Sequence, residues 1–419
     1  MFPNPLLSKY VKPRIITAFS TAFPNYSLRI ANIRYDVVQN RFDIDTVIVS
    51  TINGYTVGRI SSFSVDGIRL DKMLWKGTID ADAFKSVTIE ANEINHSFPG
   101  GEYHFRCGRM TVSVPDSEIV LESLHIQPNG DDEQFFARKT FRQTRYRVSV
   151  PYGKIEGCSV LQLLLGNKFI IGTIRIHRPF FDILVNKDKN DKKQTSPYQM
   201  PNEILGSVTE QVNVGIVRIT KMGLKYGERF AIRSKPAVIT FDSLNATIEG
   251  IANHSNGASA VMIRAEGSFM KAGAMTIHMS ILKSLSEFSL SYSGTLGRMN
   301  VRALNGFLET AERVRVSGDI QSAKFDVNVV SGYARGSVKV IYNDLSLSFI
   351  NKHSGSDKGV MNLISSFIAN TFKIRADNLP DKKGNIKIGV VNYSRTSDDP
   401  FFRFAWFALR SGVKDVAGF

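Results

Sequence analysis

Cysteine is almost missing from this chain: of 419 residues only two, Cys107 and Cys158, carry a thiol. Two are too few for a disulfide framework, and their isolation gives no metal-ligand spacing. One bridge between them is all the cysteine chemistry available to the fold. Long hydrophobic runs are missing as well. A membrane-spanning helix needs roughly 18 or more apolar residues in succession. The densest stretches, Val160–Leu165 and Phe401–Leu409, fall short of that, and Arg403 interrupts the second. Motifs for catalysis are also absent. The seven histidines are dispersed without an HxxxH or HExxH pair, and His125 and His278 sit inside strand patterns as sheet residues. There is no GxSxG elbow and no phosphate-cradling glycine loop. Ser280–Lys283 and Ser411–Lys414 have SxxK spacing but lack the SDN and KTG companions that would give a serine nucleophile its setting. These absences point to a protein that is not an enzyme, with no metal and no cofactor.

What is present is a core and a positive charge. Hydrophobic residues make up 43% of the chain, which excludes a disordered polymer. Lys and Arg number 53 against 38 Asp and Glu, a net charge of +15. Such an excess suits nucleic acid, anionic lipid or plain solubility. It is scattered except at two places. In Arg138–Arg147 basic and aromatic residues interleave, and the alternation of Arg145 and Arg147 with Tyr146 and Val148 predicts a strand with one wet face. A phosphate-binding site is the other reading of that stretch, and steeply salt-dependent affinity would mark it. The run from Lys187 to Lys193 leads into Gln194-Thr195-Ser196-Pro197 and reads as an exposed loop. With no basic stripe, nucleic acid is not the expected partner.

The dominant pattern is alternation with period two. It recurs in Phe288-Ser289-Leu290-Ser291-Tyr292, in Phe325-Asp326-Val327-Asn328-Val329, in Val338-Lys339-Val340-Ile341-Tyr342 and in Leu345-Ser346-Leu347-Ser348-Phe349. Val87–Glu90, Met110–Val114, Ile119–Ile126 and Val212–Ile219 repeat it earlier. Strands of this kind lie in a sheet with one apolar and one solvated face. Turn signals at Pro99-Gly100-Gly101, Pro128-Asn129-Gly130, Asn256-Gly257 and Ser331-Gly332 separate them, so the fold class is mainly β and antiparallel. Helical spacing is confined to Pro5–Ala22, Asp357–Phe372, short turns at Val160–Leu165 and Leu304–Arg313, and a last helix from Phe401 to about Gly412, capped by Asp398 or Asp399 with Pro400 in its first turn. That last helix carries Phe401, Phe402, Phe404, Trp406 and Phe407 on several sides, more than one buried face needs, which marks these residues as candidates for docking to a membrane or a partner.

The second half resembles the C-terminal region of the bacterial AsmA-like superfamily. The likeness rests on Leu304–Leu308, Val314-Arg315-Val316-Ser317-Gly318-Asp319-Ile320, Phe325-Asp326-Val327 and Gly332–Leu345, with the helix Met361–Phe372 and the segment Phe401–Gly412 in the same order. Leu6–Val11, Leu28-Arg29-Ile30 and Ile174–Pro179 are similar to the family's N-terminal region. The resemblance implies a long curled antiparallel sheet, a taco-like β-groove with a few short amphipathic helices at its ends. It further implies phospholipid as ligand, a membrane surface or another envelope protein as partner, and a contribution to outer-membrane lipid homeostasis. The expected location is the periplasm of a Gram-negative bacterium, associated with the inner membrane. Family members usually begin with an inner-membrane anchor helix, whereas Met1 here is followed directly by what resembles the segment after it.

On this reading residues 1–186 form an N-terminal β-region led by an amphipathic helix, 187–203 an exposed linker, 204–350 a C-terminal β-groove region, and 351–419 a helical and β cap. The groove would be lined by Phe288, Leu290, Tyr292, Phe325, Val327, Val329, Val338, Val340, Tyr342, Leu345, Leu347 and Phe349. Periodicity alone equally allows these side chains to pack against a second sheet as an ordinary sandwich core. A scaffold that binds another envelope protein through its β-surface and its aromatic terminal helix is the alternative function.

Overall fold

The structure, a computed structural model, describes residues 7–68, 85–165, 168–192, 196–253, 260–283, 288–350 and 374–418. The expected helix Asp357–Phe372 and the Asn256-Gly257 turn lie outside the described residues. The protein is mainly β, with eighteen strands among the described residues and a few short helices. It divides into two units, one of residues Met1–Ala137, Arg145–Phe181 and Glu210–Arg218, the other of Arg138–Thr144, Asp182–Thr209 and Ile219–Phe419.

The first unit opens with a π-helical turn, Leu7–Val11, running into helix α1 (Lys12–Ala22), within the span Pro5–Ala22 where the sequence shows helical spacing. Strands β1 (Tyr26–Asp36), β2 (Arg41–Thr51), β3 (Thr56–Asp66), β4 (Thr88–Ser97), β5 (Tyr103–Ser113), β6 (Glu118–Pro128), β7 (Thr144–Glu156) and β8 (Lys168–His177) then follow, each paired antiparallel with its predecessor. Helix α2 (Asp132–Ala137) precedes β7 and α3 (Val160–Leu165) precedes β8. The Arg138–Arg147 stretch departs from expectation. Within that stretch Tyr146 is exposed and Arg145 is buried, its guanidinium paired to Asp132 of α2 at 3.0 Å. A buried cation persists only when paired, and Asp132 also holds Arg147 at 2.7 Å.

The second unit continues through β9 (Phe180–Asn186), helix α4 (Pro201–Gly206) and β10 (Gln211–Arg229), the two strands having residues in both units. Strands β11 (Ala237–Ala252), β12 (Ala260–Phe269), β13 (Gly273–Leu282), β14 (Ser289–Leu296), β16 (Val314–Val330), β17 (Tyr333–Phe349) and β18 (Ile388–Ser394) pair antiparallel in that order, and the short β15 (Met299–Asn300) adds to β16. Between β16 and β17 the chain turns on Ser331 and Gly332, both at positive φ, the backbone that a two-residue hairpin matching the strand twist demands. Helix α5 (Asn305–Ala311) touches both β11 and β16. Those strands are four steps apart in the pairing order.

The run Lys187–Lys193 is less free than a loop reading implies. Lys187 pairs with Glu228 at 3.2 Å, Asp191 holds Arg142 at 2.5 Å, and Lys189 donates to the Lys139 carbonyl. Helix α6 (Phe401–Ala417) runs one turn beyond the expected end at Gly412 and stops at Gly418, whose φ of 90° is left-handed. Pro400, not Asp398 or Asp399, occupies the cap position, and Asp399 is buried just before it.

Helix α6 lies on the sheet through glycine. A Cβ on Gly389 of β18 would stand 2.0 Å from the Gly412 carbonyl, and one on Gly412 would stand 2.6 Å from Val338. Gly389→Ala is therefore expected to cost about 2–3 kcal/mol through overpacking. Gly306→Ala, where an added Cβ meets nothing within 4 Å, should be neutral or stabilising. Urea midpoints of the two variants check the contrast.

Candidate functional site

The predicted groove residues come together, but not around open space. Phe288, Leu290, Tyr292, Val327, Val329, Val338, Val340 and Tyr342 are all buried in one cluster with Phe404, Ala408 and Val416 of α6, and Phe325 and Leu345 pack at its border. Phe288 meets Phe401 edge-on at 6.2 Å, and the Tyr292 hydroxyl donates to the Ala405 carbonyl at 2.8 Å. These residues thus face a second layer of protein, as a helix and not as the second sheet of a sandwich. Leu347 is half-buried outside this cluster, and Phe349 at the end of β17 is exposed. Burial pushes the Tyr292 hydroxyl well above the usual tyrosine range, so it stays a neutral donor.

The docking candidates separate by helix face. Phe404 is fully buried, and Phe401 and Phe407 are half-buried. Tyr393 of β18 stacks against Phe404 and Phe407 at 6.0 and 5.9 Å. Its hydroxyl is pushed up to about 12 by burial and by its hydrogen bond to Asp399. Only Phe402 and Trp406, 80% and 54% exposed, face solvent.

The same helix closes the sheet edge. The Val390 and Asn392 N–H groups of β18 donate to Asp415 at 2.8 Å and to Ser411 at 3.1 Å, two α6 residues one turn apart. Ser411 in turn donates to the Ala408 carbonyl at 2.7 Å, so the hydroxyl of the terminal SxxK match has a structural task. Edge strands with free N–H groups invite pairing with other chains, and α6 blocks it here. The hydrogen bond from Val390 and the Lys387 ammonium hold the Asp415 carboxyl below its usual range.

An apolar face that strand periodicity missed lies in the first unit. Directly opposed residues share a face of an antiparallel sheet. Following the register across β1 to β7 gives one row of Ile33, Ile44, Phe63, Ala91, Met110 and Leu121, ending at Gly153. A second row holds Ile30, Val47, Ile60, Ile94, Cys107 and Leu124, ending at Val150. The two rows sit three residues apart along every strand, not two. Between them runs an interruption of the ladder through Thr46, Ser61, Glu93, Gly108, Ser123 and Pro151. Thr46, Glu93 and Ser123, on alternate strands, take positive φ. Each left-handed residue re-phases its strand so that i and i+3 point the same way, and such interruptions also bend and twist a sheet. Pro151 is tolerated in a central strand because its row has no ladder bonds to lose.

Cover over this face is partial. Leu7, Val11 and Ile15 pack against Ile30, Ile33 and Ile44 at the β1 margin. Val160 and Leu163 of α3 pack with Val112, Ile119 and Ile155 at the far margin. Between them Val47, Ile60, Ile94, Leu124 and Val150 remain half-buried. Cys107, central in the second row, is a buried free thiol whose burial raises its pKa and leaves it unreactive. The opposite face is laced with ion pairs: Arg34–Asp45 at 2.8 Å, Arg109–Glu90 at 2.9 Å, Lys154–Glu118 at 2.7 Å and Arg175–Glu156 at 2.6 Å. Exposed pairs of this kind contribute little each, and their weight is in keeping that face wet.

Among the described residues there is no group of three or more side chains suited to hold a metal, and no helix is long and apolar enough to cross a membrane. No protein-family model matches the chain, and a search of curated proteins returns no match.

Two outcomes are expected of the α6 contacts. Tyr292→Phe should lower stability by about 1 kcal/mol, the net worth of one hydrogen bond, in a urea titration. The depressed Asp415 carboxyl adds stability above the unfolded aspartate pKa of about 4 and loses it as pH falls through the lower folded value. Asp415→Asn should therefore have a lower urea midpoint than the natural protein at pH 7, with the gap closing as the pH falls below the unfolded aspartate value of about 4.

Proposed function

We propose that the protein is a non-enzymatic phospholipid binder whose acyl-chain track is the half-buried face of the first unit, formed by Ile60, Ile94, Leu124, Val150 and their neighbours. The observation that carries this reading is the two-row apolar face, continuous over seven strands and roofed among the described residues only at its margins. Acyl chains need continuity more than they need specific bonds, because each buried methylene contributes about 0.8 kcal/mol. Head groups would remain in water at the rim, and the ion-paired face would form the exterior. The resemblance to the AsmA-like superfamily supports the same class of ligand and, as part of the proposal, a place in the Gram-negative periplasm at the inner membrane. The C-terminal face, whose residues first suggested the track, is filled by α6 and serves as core.

A second reading, a scaffold that docks another envelope protein, is favoured by the exposed Phe402 and Trp406 on α6. The two separate cleanly. Protein purified without detergent should carry phospholipid by native mass spectrometry. The double variant Ile94→Gln, Leu124→Gln should carry several-fold less while its circular dichroism is unchanged. Phe402→Ser with Trp406→Ser should leave the lipid content as it was. Lipid-free natural protein, or a full complement of lipid in the Ile94/Leu124 variant, would refute the proposal.

A further inference from the structure

One end of the first unit is built differently from the other. The link from α1 to β1, the β2–β3 turn and the β4–β5 turn all fall at the end where Tyr26 pairs with Thr51 and Gly58 with His96. Large apolar side chains stand out there: Phe23 is 52%, Ile52 69% and Tyr55 75% exposed, and Phe98 is exposed as well. None of these four belongs to a core cluster. Across residues 23–28, 50–58 and 96–103 the only Asp, Glu, Lys or Arg is Glu102, in a chain that is 22% charged. The uncharged rim is confined to β1–β5, because the β6–β7 link at the same end carries Asp131, Asp132 and Glu133, and the opposite end carries Asp36, Arg41, Asp66 and Asp116.

Behind these tips runs a belt of arginine. On the polar face the register joins Arg29 to Ile48, Ile48 to Arg59, Arg59 to Asn95 and Asn95 to Arg106, so three guanidiniums share one row across five strands. All three are exposed, and Arg106 pairs with Glu93 at 2.8 Å. Arg29 lies three residues from Tyr26 and Arg59 four from Tyr55, about 10–13 Å along a strand at ~3.3 Å per residue.

We infer that this end seats on an anionic phospholipid surface, with Phe23, Ile52, Tyr55 and Phe98 entering the interface and Arg29, Arg59 and Arg106 meeting lipid phosphates. The dimensions agree. Apolar groups at an interface sink by about 5–10 Å, which brings a belt 10–13 Å behind them to the head groups. Aromatic side chains favour that boundary, and each arginine near an anionic leaflet favours binding about fivefold. A protein partner would fit apolar tips equally well, but a row of cations set at one depth behind uncharged tips matches a planar anionic surface. The apolar rows run across the strands and so lie parallel to this end, the row through Val47, Ile60 and Ile94 being the nearer of the two. The docking itself does not depend on what the track binds.

The test is co-sedimentation of the full chain with vesicles of phosphatidylcholine alone or with phosphatidylglycerol. The natural protein should bind the anionic vesicles at least about tenfold more tightly. Ile52→Ser with Tyr55→Ser should lower that binding about tenfold or more, and Arg29→Gln with Arg59→Gln should abolish most of the preference for phosphatidylglycerol. All four positions are exposed, and an unchanged thermal melt confirms folding. Failure of the natural protein to bind, or undiminished binding by the Ile52/Tyr55 variant, overturns the inference, the latter assigning any affinity to Phe402 and Trp406 or to a protein-docking role for the tips. Lipid content measured on the same variants tells this failure from failure of the track, because neither pair lies in the apolar rows.

Discussion

A sheet with one apolar face must hide that face, and this constraint organises both units. In the second unit α6 supplies the cover. Its contact is close because Gly389 and Gly412 oppose each other without side chains, and it is oriented because Ser411 and Asp415 satisfy the donors along the β18 edge. Tyr292 adds a bond from the sheet floor to the helix backbone. One helix therefore buries the face and closes the edge together. In the first unit α1 and α3 cover the margins and leave a half-open middle. The difference between a roofed and an unroofed face of the same construction is the physical basis for assigning core to one and ligand to the other.

Much of this was legible in the sequence. Period-two alternation identified β14, β16 and β17 and the faces they bury, and Ser331-Gly332 marked their hairpin. The short helices at Val160–Leu165 and after Leu304 were visible from spacing. What alternation could not say was what covers those strands, because a side chain under a helix, under a sheet or along a groove alternates in the same way. The aromatics of α6 illustrate this: the sequence shows five of them, and only the packing of Phe404 against Tyr393 separates buried from exposed.

The two-row apolar face of the first unit escapes the period-two pattern for a different reason. Ile30-x-x-Ile33, Ile44-x-x-Val47, Ile60-x-x-Phe63, Ala91-x-x-Ile94, Cys107-x-x-Met110 and Leu121-x-x-Leu124 form a recurring spacing of three. A period-two template reads such a pair as a break in the strand. Left-handed backbone at Thr46, Glu93 and Ser123 re-phases β2, β4 and β6, and none of these residue types announces that conformation as glycine would. Arg145 misled in the opposite direction: its charge suggested a wet position, and the partner that allows burial, Asp132, comes from a different element. The net charge of +15 reads accordingly as the solvated exterior of two-faced strands, with one row, that of Arg29, Arg59 and Arg106, set apart by the apolar tips in front of it.

The central claim is that acyl chains occupy the unroofed face and not the roofed one. Photo-crosslinking measures this directly, with a benzophenone amino acid placed at Leu124 or at Val327 during expression in a Gram-negative host. The account predicts phospholipid adducts at Leu124 and none at Val327. Adducts at Val327 with none at Leu124, or protein adducts alone at Leu124, would contradict it.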